Sequence, residues 1–287
     1  MKQPQQILTE AIELYKPRQI VCLFSGGYDS MCATHLAHSL ETHGVPLSVW
    51  AIDTKLSADG WTEYVSSVGE ELQFNDCHIY DNRKGFEQFV AWVTEQGCPY
   101  TLGMHGRAYH RLKERGIEAI HMLYKIGRHD KTLMLTGMRR SESRDRGDMP
   151  EYSRKGTSNI CFVAPIIHWT DEDIARYRIE RDLPENPFYN TVRGSGDCQC
   201  NWGNFIDMQS LEYFSPQLAA GNVALLDSLS RDNHGYGWDG VPPVAVHPDQ
   251  MPLLDDDSCG PFLCSNCSRR SGKHQAAEQV ILQRGIF

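Results

Sequence analysis

The sequence lacks the features of a membrane, secreted or nucleic-acid-coating protein. No apolar run approaches the ~20 residues that cross a bilayer. The segment from Met1 to Lys16 carries Glu10 and Glu13 and has no apolar core of the kind a signal peptide needs, so a cytoplasmic protein is expected. Positive charge is not in excess. The 28 Lys and Arg stand against 37 Asp and Glu, a formal net charge of −9, which argues against broad, non-specific nucleic-acid binding and leaves room for a local basic site. Internal repeats and low-complexity tracts are absent. So are the Walker spacing G-x-x-x-x-G-K-[ST] and a His-Glu-x-x-His pair. What remains is the composition of a globular protein. The 287 residues are 40% hydrophobic and 23% charged, enough for a sizeable core in one large domain or two smaller ones.

Cysteine, by contrast, is plentiful: ten residues, in a protein whose expected compartment disfavours structural disulfides. Cys22, Cys32, Cys77, Cys98 and Cys161 fall in apolar segments and read as small buried hydrophobes. Cys198, Cys200, Cys259, Cys264 and Cys267 crowd the C-terminal third, a shift that suggests a metal site. The division expected from this is residues 1–190 as one domain and 191–287 as a cysteine-rich, metal-binding extension.

A leading helix is predicted over residues 5–15. Strand-like runs follow at Ile20–Phe24, Leu47–Ile52, His78–Tyr80 and Thr132–Thr136. Helical patterns lie between them at Met31–Glu41, Ala58–Leu72, Phe86–Glu95 and Arg107–Gly127. Strands alternating with helices of this length imply crossovers in a mostly parallel α/β sheet, with ligands at the carboxyl ends of the strands. Thr170 reads as the cap of a further helix, Asp171–Arg181, and residues 205–231 look helical in part. His105, His110, His121 and His129 read as partly exposed polar residues, and Arg269, Arg270, Lys273 and His274 as a small solvated basic patch.

The first strand runs directly into Ser25-Gly26-Gly27-Tyr28-Asp29-Ser30 and then a helix. Two glycines permit positive φ and close approach of the backbone. A helix N-terminus offers unpaired N–H groups and the positive end of its dipole, a cradle for an anion and above all for phosphate. This Ser-Gly-Gly-x-Asp-Ser turn resembles the pyrophosphate loop of the ATP-pyrophosphatase superfamily, whose members split ATP between the α and β phosphates. After the run ending at Thr136 comes Gly137-Met138-Arg139-Arg140-Ser141-Glu142-Ser143-Arg144, with arginines suited to bidentate phosphate recognition.

Four pieces occur in order: the Ser-Gly-Gly turn, Asp53-Thr54 after a strand, Gly-x-Arg-Arg-x-Glu-Ser-x-x-Arg, and Ala164-Pro165-Ile166-Ile167-His168-Trp169-Thr170 with Asn186-Pro187-x-Tyr189. Together they resemble the phosphoadenosine phosphosulfate (PAPS) reductase family over about residues 18–200. The resemblance implies an adenine-nucleotide α-hydrolase-like fold. It implies that Ser25, Gly26, Gly27, Asp29 and Ser30 hold phosphates, that Asp53 and Thr54 lie near the nucleoside, and that Arg139, Arg140 and Arg144 contact the anionic end. It implies ATP or PAPS as nucleotide, with Mg²⁺.

One piece of the family pattern is missing. Sulfonucleotide reductases carry a late Glu-Cys-Gly-Ile/Leu-His segment whose cysteine attacks the sulfonate. The nearest text here is Ser258-Cys259-Gly260-Pro261, without the glutamate or the histidine. The remaining late cysteines form two pairs, Cys198-Gln199-Cys200 and Cys264-Ser265-Asn266-Cys267, separated by 63 residues. Four thiolates suit a [4Fe–4S] cluster or Zn²⁺. The arrangement resembles the iron–sulfur sites of adenylyl-sulfate reductases and of the DNA phosphorothioation enzyme of this family. Cys259 is left as a spare ligand or a sulfur-carrying thiol. The expectation is therefore an ATP-dependent adenylating or sulfur-transfer enzyme, with Asp29, Arg139, Arg140 and Cys259 as catalytic candidates. A cysteine desulfurase or thioredoxin-like reductant would be its partner, and a nucleic acid is among its possible acceptors. The alternatives are a sulfonucleotide reductase and a non-catalytic nucleotide-binding subunit.

Overall fold

The computed structural model describes residues 2–74, 76–142, 146–192, 194–200 and 208–240. Helix α1 (Pro4–Tyr15) leads into β1 (Gln19–Leu23), α2 (Tyr28–Ala37), β2 (Leu47–Asp53), α3 (Trp61–Glu71), β3 (Cys77–Asp81) and α4 (Arg83–Gln96). After them come α5 (Leu102–Tyr109), a π-helical turn (His110–Glu114), α6 (Arg115–Tyr124), β4 (Thr132–Leu135), β5 (Tyr152–Arg154), β6 (Ile160–Val163) and α7 (Asp171–Glu180). The strands form one sheet in the order β3-β2-β1-β4-β6-β5, parallel throughout except for the antiparallel β5–β6 pair at its edge.

Alternation along the strands builds a core on each face of this sheet. Ile20 and Cys22 pack with Leu133, Leu135, Cys161 and Val163 on one side. Val21, between them in sequence, joins Met134, Ile160 and Phe162 on the other, beneath Ile117 and Ile120 of α6. β1 pairs in parallel with both β2 and β4, at Ile20↔Leu47 and Ile20↔Leu133. The chain winds outward from β1 to β3 and returns on the opposite side to β4. Strand order therefore reverses between β1 and β4, where such a sheet opens a crevice at its carboxyl edge.

Several elements differ from the sequence expectation. β5 and β6 were not anticipated, because runs of three or four residues carry too little period to read. The single helix expected over Arg107–Gly127 starts earlier, at Leu102, because the Thr101 hydroxyl accepts from the Met104 amide (3.3 Å) and caps it. It is then interrupted by the π turn. His105 and His121, expected to be partly exposed, are buried. His121 Nδ1 bonds Thr132 Oγ1 at 2.7 Å, beneath the sheet. The Thr170 cap forms as the sequence suggested, and Asp173 completes it as a reciprocal capping box.

Helices Met208–Phe214 and Ala224–His234 follow, joined by the short helical turns Pro216–Leu218 and Ala219–Val223. Ala224–His234 is fastened just beyond the end of α4, where the Cys98 amide donates to Ser230 Oγ (2.9 Å) and Tyr236 OH to the Cys98 carbonyl (3.0 Å). Among the described residues no helix is long and apolar enough to cross a membrane.

Candidate functional site

The crevice between β1 and β4 begins at the turn after β1. Trp61 Nε1 donates to the Ser25 carbonyl at 3.1 Å, and Tyr64 OH (3.2 Å) and Asn186 Nδ2 (2.8 Å) donate to the Gly26 carbonyl. In a trans peptide the next amide points opposite its carbonyl, so the Gly26 and Gly27 N–H groups turn away from these partners. Gly26 has φ +82°, which explains the glycine. A Cβ there would face Tyr64 (3.1 Å) and Trp61 (3.2 Å), so backbone conformation rather than approach to a ligand demands it. Ser30 Oγ donates to the Gly27 carbonyl (2.8 Å) and lies 3.0 Å from Ser25 Oγ, locking the turn onto the first turn of α2.

Across the crevice, Gly137 abuts that same first turn: a Cβ on it would lie 2.5 Å from the Ser30 amide nitrogen. The arginines beyond it have different fates. Arg139 is buried, its Nη2 bonded to Asp29 (3.0 Å) and Asp171 (2.9 Å), so one guanidinium joins the N-terminal ends of α2 and α7. Burial pushes the Asp29 carboxyl up to about 7, against the opposing pull of Arg139. Arg140 turns to the Met149 carbonyl, with Nε at 2.9 Å and Nη2 at 2.7 Å. Arg144 lies outside the described residues.

Among the described residues, the arginine that lines the crevice is Arg146, which is 4% exposed. Its Nη1 binds Glu142, and its buried Nη2 has no hydrogen-bond partner among the described residues. The residue-by-residue signal for it was available. The pattern Gly-x-Arg-Arg-x-Glu-Ser-x-x-Arg, started at Gly137, ends on Arg146 and not on Arg144.

Asp53 and Thr54 stand at the end of β2, but the crevice wall runs through Ile52. Asp53 is occupied by Lys55 Nζ (2.7 Å) and Ser57 Oγ (3.1 Å). Thr54 Oγ1 donates to the Asp197 carbonyl at 3.0 Å, pinning the segment that carries Cys198 and Cys200. That segment is stitched down further by Ala58 N to Gly196 O (2.8 Å) and Gln199 N to Leu56 O (2.6 Å). Asp197 accepts from Ser195 Oγ (2.6 Å) and from Lys113 Nζ (2.5 Å), and all three residues line the crevice. Sequence reading had passed over Lys113, Ser195 and Asp197, since the lysine and its partner are 84 residues apart.

Both thiols of the Cys198–Cys200 pair are buried. A hydrogen bond from Cys200 pulls the Cys198 thiol below its ordinary range, and the same contact pushes Cys200 well above it. Burial alone would lower the Lys113 ammonium, but Asp197 and the two cysteines outweigh it and raise it. Two close, buried sulfurs beside a fixed cation have the donor chemistry that a thiolate-bound metal requires. Cys259, Cys264 and Cys267 lie outside the described residues. A second cluster, His110, Glu114 and Glu118, is already engaged by Lys155, which bonds Glu114 at 2.7 Å and Glu118 at 3.3 Å.

Residues 19–201 match the family model described as phosphoadenosine phosphosulfate reductase domain. An adenosine 5'-phosphosulfate reductase from Salinibacter ruber is 34% identical over 69 residues, 24% of this chain and 27% of that protein's length. A sulfate adenylyltransferase subunit 2 from Rhizobium meliloti is 24% identical over 224 residues, covering 67% of this chain and 70% of that one. Among solved structures, a Candida auris phosphoadenylyl-sulfate reductase aligns with TM-score 0.47 at 18% identity, over 66% of this chain and 84% of its own. The Francisella tularensis NMN synthetase aligns with TM-score 0.47 at 14% identity, over 86% of this chain and 100% of its own. The family model takes in β1, the Ser-Gly-Gly turn, the arginine loop and the Cys198–Cys200 pair alike, and the chain belongs to the PAPS reductase family.

Proposed function

We propose that the chain binds ATP in the crevice between β1 and β4 and cleaves it to AMP and pyrophosphate while activating an acceptor oxygen. The observation that carries this reading is the pairing of the Ser25–Ser30 turn with Arg146, whose buried Nη2 has no hydrogen-bond partner among the described residues at the same crevice. A buried, incompletely bonded guanidinium nitrogen is costly unless an anion completes it. The acceptor oxygen would attack the α phosphorus and pyrophosphate would leave. The Gly26 and Gly27 amides, Ser25, Ser30 and the α2 dipole would hold the phosphates, and Arg146 would hold the departing charge. Mg²⁺ would supply further neutralisation of the triphosphate. Arg139 would act by keeping Asp29 oriented. Asp53 and Thr54 would support the nucleoside side from outside the wall, and Arg140 and Arg144 would belong to the same loop's framework.

A sulfur nucleophile would then displace AMP from the activated acceptor. Cys198 and Cys200, with Cys264 and Cys267, would hold a [4Fe–4S] cluster or Zn²⁺, and the bound group would supply sulfur-binding or redox chemistry. Cys259 would be the spare, sulfur-carrying thiol. In this reading residues 1–190 are the nucleotide domain and 191–287 the metal-bearing extension. The setting would be cytoplasmic, a cysteine desulfurase the sulfur source and a nucleic acid one acceptor class.

The short match to a relative named as an adenosine 5'-phosphosulfate reductase favours a second reading, reduction of PAPS or adenylyl sulfate to sulfite with a thioredoxin-like reductant. A third, a non-catalytic nucleotide-binding subunit, draws on the relative named as a subunit. Incubation with ATP, and separately with PAPS, scoring pyrophosphate, AMP and sulfite, separates the three. Sulfite from PAPS that vanishes in Cys259→Ser would replace the first reading by the second, and no product from either nucleotide would favour the third.

A further inference from the structure

We propose that His105 is a positioning residue for a metal centre at Cys198 and Cys200, donating its Nδ1–H to the Cys200 sulfur and fixing that ligand's orientation. The inference rests on the metal reading above. Nδ1 of His105 lies 3.6 Å from Cys200 Sγ, the length of a hydrogen bond to sulfur. His105 is 2% exposed and Cys200 7%, so water does not compete for the contact. A metal-bound cysteine is a thiolate and can only accept. The direction of the bond follows from this, and so does the tautomer: the proton sits on Nδ1.

The two partners are held by independent anchors. His105 stands on α5, whose first turn Thr101 caps, while Cys200 ends the segment stitched to residues 54–58 through Thr54 and Leu56. Neither side chain owes its place to the other, so the contact can restrain a ligand instead of merely following it. Lys113, about two turns further along the same helical run, bonds Asp197 at 2.5 Å beside the pair, so the two sulfurs have a fixed cation nearby as well as the His105 donor. Hydrogen bonds to ligand sulfur tune both affinity and reduction potential.

The test uses the full chain, purified without oxygen and loaded either with iron and sulfide or with zinc alone. His105→Phe keeps a buried ring and removes the donor, His105→Asn returns an N–H near Nδ1, and His105→Gln places one near Nε2. Expected are unchanged metal content in all forms, a lowered midpoint potential and about tenfold weaker zinc binding in His105→Phe, and recovery in His105→Asn. Should the phenylalanine variant fail to fold, Asn against Gln gives the same comparison, with Gln behaving as the loss. Wild-type potential and zinc affinity in the Phe or Gln variant would overturn the inference alone, and equal loss of metal in the Asn and Phe variants would overturn it in favour of a ligand or purely structural role. A wild-type protein that takes up neither metal would sink the metal reading itself, and this inference with it.

Discussion

The Asn186 side-chain amide donates to two carbonyls at once, Gly26 at 2.8 Å and Ser195 at 3.1 Å. It thereby ties the phosphate-type turn to the start of the cysteine-bearing segment. Asn186→Ala removes this donor from the Ser195 carbonyl and leaves the Gly26 carbonyl with Tyr64 alone, at a cost of about 1–3 kcal/mol. Chemical denaturation should show that loss together with weaker nucleotide binding. If stability fell but nucleotide affinity in the folded fraction stayed at the wild-type value, the link to the turn would be wrong.

Gly137→Ala should be far more damaging than its size suggests. The added methyl would meet backbone atoms of Asp29 and Ser30, with the nearest at 2.5 Å, and backbone cannot rotate away as a side-chain tip can. The expected result is at least a tenfold loss of nucleotide affinity by calorimetry. Gly221→Ala, where a Cβ meets nothing within 4 Å, is the control and should bind as the parent does.

Arg146 and Arg140 offer a contrast within one loop. Arg146→Gln should weaken ATP binding roughly ten- to a hundredfold, the range for a charge-assisted hydrogen bond. Arg140→Met, which breaks the bonds to the Met149 carbonyl and the 4.0 Å ion pair with Glu151, should leave affinity unchanged and lower the melting temperature slightly. Equal effects of the two substitutions on affinity would remove Arg146 from the site.

Acid should destabilise the fold partly through His121. Burial, the larger cause, and then Lys125 lower this group from its ordinary 6.5, so the folded protein keeps it neutral. Above 6.5 neither state binds the proton and there is no contribution. As pH falls through 6.5 the unfolded chain protonates first, and stability declines until the folded pKa is passed. Urea midpoints measured at about pH 8 and about pH 5.5 should differ less in His121→Asn than in the parent. An identical difference in both would exclude His121 as a source.

Iron and zinc analysis addresses the cysteine pair. Anaerobically purified protein should carry either about four irons or a single zinc per chain. Cys198→Ser and Cys200→Ser should each abolish that content, whereas Cys161→Ser, on the buried strand β6, should not. Retained metal in both pair variants would move the centre elsewhere.

The parts of the site visible in sequence were those written in consecutive residues. β1 and its turn could be read because β-branched residues, two glycines and a helix opening follow one another without a gap. The cap at Thr170 and Asp173 was legible for the same reason. Other features depend on partners far apart along the chain. Nothing near Arg140 signals its bond to the Met149 carbonyl, and nothing near His105 signals a sulfur 95 residues away. The burial of His121 depends on Thr132, across a turn whose geometry the local text does not fix. Arg146 is a different case: its spacing is present in the motif, but Arg144, two residues earlier, fits the same charge pattern.

The π turn at His110–Glu114 has a rotational consequence. One extra residue in a turn shifts every later side chain by about 100° around the helix axis. With that shift in place, Tyr109 and Lys113 reach the crevice while Ile117 and Ile120 still meet the sheet. The Asn82 amide holds the altered register by donating to the Arg111 (3.1 Å) and Leu112 (2.8 Å) carbonyls. Deleting a single residue there would restore an even helix and force a choice between the two faces: either the lysine leaves the crevice or α6 loses its seat on the sheet.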